Sequence, residues 1–439
     1  MFFISREKKI AFIFVVNMLF SLLEFDFIPG LQNAISLVIV VFILSEIKNI
    51  HIYVNKIKNN IKLKRIFLLL VLMTSLDIIF SPHLHNSVFD SIKYIYNYLL
   101  LKYSLVFCCL VAFVNQKSLL TLVRYSMAPM LILTLFGIIN FIQGRSAFVT
   151  EMMSNHISTN FVTTDAGDHF VNSSRFRIQS MFQNPFNYGY ICSVCLLLYI
   201  YARKHMNKLL FGLMLICCLF GIIMCNCRTV ILCAFLGIGI FFLIAFNSKR
   251  ITQLGIIITV IFVLLYGFVP VVADKIDYVF SVFDSKDNDQ RGSSLTMRSV
   301  QIATTLKYIE DKPWFGNGVY FFNIDLGWDS SDKSMTLEKD LYGLEGVYLA
   351  YLLEHGWVGY ILYLMVWITM LIYLIKNLHF NRELVALGIA IWSIYFLFAH
   401  LTGELDSVRP TLIVLGGCYG IISLKHKDIQ MNNKKNMYL

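Results

Sequence analysis

The sequence predicts an all-α, polytopic membrane protein with about twelve transmembrane helices. Of its 439 residues, 57% are hydrophobic and 15% are charged, and the mean hydropathy is +0.67. Soluble domains contain roughly 45–50% apolar and about 25% charged residues, so a soluble globular protein is excluded. The apolar residues form runs of about 18–22, long enough to cross a hydrocarbon core of roughly 30 Å as helices. Because lipid cannot satisfy backbone polar groups, spanning segments this apolar are expected to be helices.

Twelve apolar runs define the expected spans, and residues 1–439 are expected to form a single integral membrane domain. The spans lie at about residues 10–28, 31–47, 66–82, 95–114, 125–143, 186–202, 209–226, 229–247, 253–273, 356–375, 384–402 and 410–424. With twelve spans, the basic segments 1–9, 47–65, 115–124, 203–208, 248–250, 376–383 and 425–439 all lie on one side.

These seven segments contain 22 of the 37 Lys and Arg residues. Cytoplasmic loops carry an excess of basic residues, so both termini are predicted to be cytoplasmic. Residues 425–439 are then a basic cytoplasmic tail, expected to be disordered. The net charge of +10 follows from this loop distribution, and no nucleic-acid partner is predicted. Most of the ten cysteines lie within apolar runs, where a cysteine behaves as a small hydrophobic residue.

Two long polar segments are predicted on the outer side, at 144–185 and 273–343. The second is long enough to form a small extracytoplasmic cap before span ten. Within it, the sequence from Arg298 to Ile309 has apolar positions spaced as on one face of a helix. Pro and Gly residues at 311–318 should end that helix. A short helix is then expected at 346–354, with a break at Gly356 before the span.

Arginine is the informative residue type on the outer side, because a guanidinium can bind phosphate oxygens through two hydrogen bonds. A cluster of arginines at the outer boundary would suit a lipid-linked phosphate or diphosphate. The alternative is that each one extends to the lipid headgroups. The outer arginines are Arg145, Arg175, Arg177, Arg228, Arg291, Arg298 and Arg409.

Two of these arginines have a defined sequence context. Arg228 lies between two apolar spans that are joined by almost no loop, so it needs an anionic partner near the membrane. Arg177 precedes Asn184-Pro185, where proline at a first-turn position should begin span six. The amino end of that helix would add partial positive charge at the outer surface.

Four segments resemble the O-antigen polymerase and ligase superfamily of bacterial polysaccharide assembly, in the same order and over roughly the C-terminal 60% of the chain. They are RIQSMFQNPFNYG at 177–189, NCRT at 226–229, the stretch from Arg291 to Arg298 followed by PWFGNG at 313–318, and YLAYLLEHGWVG at 348–359. Ligases of the superfamily carry a histidine eleven residues before a G-x-x-G motif. Here Gly356 and Gly359 fit that motif, but Glu345 stands at the histidine position. This departure favours a polymerase over a ligase.

The resemblance implies a membrane glycosyltransferase of the GT-C kind in the bacterial cytoplasmic (inner) membrane. Its substrates would be undecaprenyl-diphosphate-linked oligosaccharides, joined into an O-antigen, as in lipopolysaccharide, or into a capsule. Arg228 and Arg298 are the first candidates for diphosphate contacts, followed by Arg177 and Arg291. Glu345 is the candidate catalytic base for the attacking hydroxyl. Asp340, Glu404 and Asp406 are its rivals.

Other residues have simpler interpretations. His355 and His400 lie within or beside spans, where a buried histidine is usually a packed, hydrogen-bonded residue. Trp314 and Trp328 are candidates for stacking on sugar rings. No nucleotide-binding loop, zinc-ligand spacing or dinucleotide fingerprint occurs, so the sequence implies neither a cofactor nor a metal.

Three alternatives stay open. The chain could be a ligase of O-antigen, a protein O-oligosaccharyltransferase of the same superfamily, or a twelve-span transporter or flippase. Carriers are commonly built from two similar halves, whereas here a long outer segment precedes span ten and the two halves differ. The expected partners are the lipid-linked oligosaccharide and membrane lipids, with a chain-length regulator protein as a further candidate.

Overall fold

The fold is entirely helical in the part of the chain that the computed structural model describes. That part comprises residues 4–20, 34–58, 60–144, 177–182, 184–246, 294–327, 339–341, 344–403 and 408–437. Helices account for 84% of it, and it contains no strand. The predicted all-α class is confirmed.

The described residues up to 144 form eight α-helices. They are α1 (Arg6–Leu19), α2 (Ala34–Glu46), α3 (Ile50–Lys58), α4 (Ile61–Phe80), α5 (Pro82–His85), α6 (Val88–Ile95), α7 (Ser104–Ala112) and α8 (Gln116–Gln143). A 3-10 turn, Ile47–Asn49, joins α2 to α3, and a π-helical stretch, Tyr96–Tyr103, joins α6 to α7.

The described residues from 177 onwards form seven more α-helices. They are α9 (Pro185–Ala202), α10 (Lys208–Met224), α11 (Arg228–Ala245), α12 (Ser294–Tyr308), α13 (Val347–Ile375), α14 (Arg382–Leu401) and α15 (Val408–Met437). The 3-10 turns Arg203–His205 and Lys339–Leu341 and a π-helical turn, Phe321–Asp325, complete the described secondary structure here.

Several local predictions about these helices are confirmed. Asn184 caps α9, since its side-chain oxygen accepts a hydrogen bond from the Phe186 N–H at 2.8 Å, and Pro185 is the first helical residue. The amphipathic helix expected from Arg298 is α12. Inside α13, Gly356 has φ 62° and ψ −167°, so the helix is interrupted where the sequence predicted a break.

Seven helical segments of the described chain are long and apolar enough to cross a membrane. They are Ile35–Lys58, Val88–Ala112, Gln116–Gln143, Pro185–His205, Arg228–Ala245, Val347–Ile375 and Arg382–Leu401. Helices α1, α4, α10 and α15 coincide with four further predicted spans. The predicted span at 253–273 lies outside the described residues. The protein is a multi-pass membrane protein.

Two segments predicted to lie outside the spans are helical. The basic segment 47–65 contains α3, and the tail, which was expected to be disordered from residue 425, continues α15 as far as Met437. Neither 47–65 nor 425–439 contains a Gly or Pro residue that would end a helix.

The described helices carry apolar side chains both on the surface that faces away from the bundle and in the bundle interior. Leu72, Ile216 and Phe235 are 47%, 67% and 67% exposed, as expected for side chains that face lipid. In the interior, the buried rings of Trp367 and Tyr395 stack with centroids 4.4 Å apart. Helix α11 packs along α14, and α7 packs along α15.

The described cap consists of residues 294–327, 339–341 and 344–346, and it is anchored where α4 ends and α13 begins. The Gly318 N–H donates to the Glu354 carbonyl at 2.9 Å, and the Val358 N–H donates to the Trp314 carbonyl at 3.0 Å. The Ser81 hydroxyl donates to the Val319 carbonyl at 3.2 Å. We call this end of the bundle the cap end.

Candidate active site

Two predicted site residues, Arg298 and Glu345, are in direct contact at the cap end. The Arg298 Nε and Nη2 atoms donate to Glu345 Oε2 at 2.9 and 2.6 Å. Nη2 also donates to the Leu401 carbonyl at 2.9 Å, at the end of α14. The side chains are 23% and 26% exposed, so the pair can be reached from outside the protein. The Arg298 guanidinium at the cap end is thus already bound to an anionic group, the Glu345 carboxylate.

Backbone contacts fix the position of Glu345. Its N–H donates to the Oε1 of the buried Gln301, one turn after Arg298 on α12, at 3.2 Å. The next residue, Gly346, has φ 99°, and a Cβ there would lie 2.8 Å from the His400 carbonyl oxygen. Only glycine fits this close approach without strain. The turn into α13 therefore holds the Glu345 carboxylate beside α12.

Arg177 and Arg228 form a second basic region. Arg228 is the first residue of α11, directly after the buried Cys227. The Ile178 N–H donates to the Met224 carbonyl at 3.1 Å, so the segment that follows Arg177 packs against the turn before Arg228. Burial raises the pKa of the Cys227 thiol, and the positive charge of the nearby Arg177 opposes that rise.

Packed residues connect the two basic regions at the cap end. At the start of α9, a Cβ on Gly189 would lie 2.7 Å from the Val230 side chain, in the first turn of α11. The next residue, Tyr190, packs on Phe398 with ring centroids 4.8 Å apart and hydrogen-bonds to Thr411. Phe398 lies in the last turn of α14, which also provides the carbonyl bound by Arg298. Both regions therefore lie at the same end of the bundle.

The remaining predicted residues are placed less directly. Asp340 is exposed in a 3-10 turn of the cap, and Trp314 is 65% exposed. His400 has its Nε2 atom 3.2 Å from the Tyr360 hydroxyl and its Nδ1 atom 2.7 Å from the Phe396 carbonyl, the packed role that was expected. Arg145, Arg175, Arg291, Trp328, Glu404 and Asp406 lie outside the described residues.

A second polar group, which the sequence interpretation missed, lies where α4 meets α13. Asp77 Oδ1 is 2.6 Å from His355 Nδ1, and Asp77 Oδ2 accepts a hydrogen bond from the Tyr94 hydroxyl at 2.6 Å. The side chains of Asp77 and His355 are 6% and 9% exposed. Asp77 is an acidic residue in an apolar run, which is itself a signal of a functional position. Its partner is 278 residues away and could not be identified from local pattern.

This second group lines a small hollow beside the cap. Glu354 borders it, and Glu354 Oε1 accepts a hydrogen bond from the Phe322 N–H at 3.4 Å. A Cβ on Gly356 would lie 2.5 Å from Gly316 N. The two glycines therefore allow the cap loop, residues 313–318, to contact α13 where that helix is interrupted. Among the described residues, no group of three His, Cys, Asp or Glu side chains could hold a metal ion.

The fold and this site define a class: a multi-pass, α-helical membrane protein with arginines and a carboxylate at one mouth of the bundle. Residues 213–364 match the family model described as O-antigen ligase. The match covers about a third of the chain and includes Arg228, Arg291, Arg298 and Glu345. The resemblance to the O-antigen ligase and polymerase superfamily is confirmed.

The description of that family names a ligase, which supports an enzymatic activity in general terms. The chain matches no curated protein.

Proposed function

We propose that this protein is a polymerase that joins polyprenyl-diphosphate-linked oligosaccharide repeat units into a surface polysaccharide. The reaction would take place at the outer face of the bacterial cytoplasmic membrane, and the product would be an O-antigen or a capsule. The observation that carries the proposal is the contact of Arg298 with Glu345, within the residues that match the family. It places a cation able to hold a diphosphate beside a carboxylate able to accept a proton.

In the proposed reaction, a hydroxyl oxygen of one lipid-linked repeat unit attacks the anomeric carbon of the sugar that attaches a growing polymer to its lipid diphosphate. The new carbon–oxygen bond forms as the bond from that carbon to the diphosphate oxygen breaks. The diphosphate leaves with the electron pair, and the attacking hydroxyl loses its proton to a base. The chemistry is that of a GT-C-type glycosyltransferase.

The arginines would act on the leaving group. Negative charge on the diphosphate increases in the transition state, so fixed cations that contact it lower the barrier. In the proposal, Arg298 and Arg228 are the principal contacts, and Arg177 and Arg291 contribute. The described positions of Arg177, Arg228 and Arg298 at one end of the bundle are consistent with this role.

Glu345 would have two successive roles. Its Oε2 atom accepts two hydrogen bonds from Arg298. In the proposal, a phosphate oxygen of the substrate takes the place of this atom. A diphosphate that binds Arg298 would compete for the same donors and release the carboxylate. In the proposal, the released Glu345 accepts the proton of the attacking hydroxyl.

The identity of residue 345 favours polymerase over ligase. Ligases of the superfamily have a histidine at this position relative to the G-x-x-G motif formed by Gly356 and Gly359, and this chain has Glu345. At neutral pH a glutamate carboxylate is negatively charged, whereas a histidine imidazole with an ordinary pKa is mostly neutral. The two residues would therefore suit different acceptors.

The experiment is to supply purified protein in detergent with lipid-linked repeat units, with and without lipid A core or an acceptor protein. We expect a ladder of products that remain attached to the lipid diphosphate. Transfer to lipid A core would identify a ligase, and transfer to protein would identify an oligosaccharyltransferase. Either result without a ladder contradicts the proposal, as does movement of intact substrate across a vesicle membrane without new linkages.

A further inference from the structure

We propose that the hollow beside Asp77 and His355 binds a hydroxyl group of an uncharged sugar in the lipid-linked oligosaccharide. The inference rests on the proposed function and deepens it, because it assigns a sugar-recognition subsite separate from the arginines. The hollow lies between α4, the start of α13 and the cap loop. Its polar lining comes from Asp77, Ser81, Glu354 and His355.

The size of the hollow fits a hydroxyl group. The space between the lining atoms is about 290 Å³ and includes a part open to the outside, while its enclosed part has room for about one water molecule. A sugar ring cannot enter so small a space, but one of its hydroxyl groups can. The ring would remain at the mouth.

The hydrogen-bonding geometry leaves one ring nitrogen available. Asp77 binds His355 Nδ1 through one oxygen and the Tyr94 hydroxyl through the other, so the imidazole is fixed in orientation. The hydrogen bond of the imidazole to Asp77 is made by Nδ1, and no described residue bonds to Nε2. A ring nitrogen of a residue that lines a cavity can bond to a hydroxyl group that enters it.

The charge of the hollow favours a neutral ligand. Asp77 and Glu354 line it with carboxylates, Asp77 is paired with the His355 imidazole, and no arginine or lysine is among its described lining residues to bind a phosphate. The adjacent cap residue Tyr320 shows the same environment: burial raises the pKa of its phenol, and the carboxylates of Asp90 and Glu354 raise it further. A diphosphate therefore belongs at the arginines, and an uncharged hydroxyl belongs here.

Two aromatic side chains line the hollow, and a third lies next to one of them in the sequence. Phe80 at the end of α4 stacks on Phe315 of the cap with ring centroids 3.7 Å apart, and both line the hollow. Trp314 precedes Phe315 and is 65% exposed. The apolar C–H face of a sugar ring packs well on such surfaces, so carboxylates, an imidazole and aromatic rings together suit a carbohydrate.

The spacing from Arg298 suits a lipid-linked oligosaccharide. Glu345, which contacts Arg298, lies two residues before α13 begins at Val347, and His355 lies eight residues after Val347 on that helix. At 1.5 Å per residue, this part of α13 is about 12 Å long. A substrate with its diphosphate at Arg298 would therefore meet His355 with a sugar further along its chain.

The test compares two probes on purified full-length protein in detergent. The first probe is the repeat-unit oligosaccharide released from the surface polysaccharide by mild acid, without lipid or phosphate, and the second is inorganic pyrophosphate. Binding is followed by saturation-transfer NMR and by calorimetry. We expect His355→Phe and Asp77→Asn each to weaken oligosaccharide binding about tenfold or more, the value of roughly one hydrogen bond. Pyrophosphate binding should stay within twofold of wild type.

His85→Phe is the matched control, since His85 is exposed on α5. This variant should bind both probes as the wild type does. The inference is overturned if the wild-type protein does not bind the oligosaccharide, or if both variants bind it normally. It is also overturned if the variants lose both probes together with thermal stability, because Asp77 and His355 would then be purely structural. If His355-dependent sugar binding occurs without polymer formation, the proposed function fails while this inference stands.

Discussion

Arg298 donates two hydrogen bonds to a single oxygen of Glu345, at 2.9 and 2.6 Å, although the residues are 47 positions apart in the chain. The contact joins α12 of the cap to the turn that begins α13. A third bond from Arg298 reaches the Leu401 carbonyl and includes α14 in the same contact. Charged hydrogen bonds of this kind are stronger than neutral ones. The arginine is therefore held in place before any substrate binds.

The first prediction concerns the Arg298 side chain. Arg298→Ala should lower the rate of polymer formation by about 10²–10³-fold, the usual effect of removing a donor from a developing negative charge. Arg298→Lys should recover only part of the activity, because an ammonium keeps the charge but not the two-pronged geometry. Lys307→Ala, an exposed cation on the same helix, is the control and should be fully active. Equal loss in Lys307→Ala would point to damage to the cap instead.

The second prediction separates the two proposed roles of Glu345. Glu345→Gln should slow turnover by about 10²–10⁴-fold, because the amide cannot accept the proton. It should also bind pyrophosphate more tightly than wild type, since the carboxylate no longer competes for Arg298. Product ladders and calorimetry measure the two effects. Normal turnover in this variant would show that the proton goes to another group.

The third prediction concerns Arg228 at the start of α11. Arg228→Ala should abolish polymer formation and leave membrane insertion and thermal stability intact. Arg65→Ala provides an arginine control, because Arg65 is exposed on α4 in a segment predicted to be cytoplasmic. Chain lengths are read from the surface glycan of a deletion strain that carries each variant. Wild-type chain lengths in Arg228→Ala would remove Arg228 from the site.

The fourth prediction concerns the interruption in α13. Gly356→Ala should destabilise the protein by about 1–3 kcal/mol for its backbone conformation alone. A Cβ there would also lie 2.5 Å from backbone atoms of Gly316 and Trp314, so the cap loop should detach. Thermal unfolding and limited proteolysis of the cap measure both effects. Gly239→Ala is the control, because a Cβ there meets nothing within 4 Å. Equal stability of the two variants would contradict the tight contact.

The fifth prediction concerns orientation. The distribution of Lys and Arg predicts that both termini are cytoplasmic. A fluorescent protein that folds only in the cytoplasm should therefore fluoresce when fused after Leu439, whereas alkaline phosphatase fused there should be inactive. The opposite pattern would place the cap, with Arg298 and Glu345, on the cytoplasmic side, and would contradict polymerisation at the outer face.

The sequence was sufficient for features that depend on local pattern. Apolar runs located eleven of the twelve predicted spans at described helices. The Asn184-Pro185 dipeptide located the start of α9, and the glycine at 356 located the break in α13. Arg298 and Glu345 were each predicted as candidate site residues, and the structure shows that they are in contact.

Contacts between distant helices could not be read from the same patterns. The pairing of Arg298 with Glu345 requires the cap to fold back on the entrance to α13. The pairing of Asp77 with His355 requires α4 to pack on α13 across 278 residues of chain. Periodicity identifies the buried face of a helix but not the helix that covers it. Helix α3 and the last part of α15 were not predicted, because both segments are basic and polar, although neither contains a Gly or Pro residue.

The central claim is that the arginines at the cap end stabilise a departing lipid diphosphate. The most direct measurement is the single-turnover rate at which purified protein releases polyprenyl diphosphate from lipid-linked repeat units, compared between wild type and Arg298→Ala. We predict one diphosphate released for each new glycosidic linkage in the wild type, with both steps slowed together in the variant. Release at the wild-type rate in Arg298→Ala, or linkages formed without release, would contradict the claim.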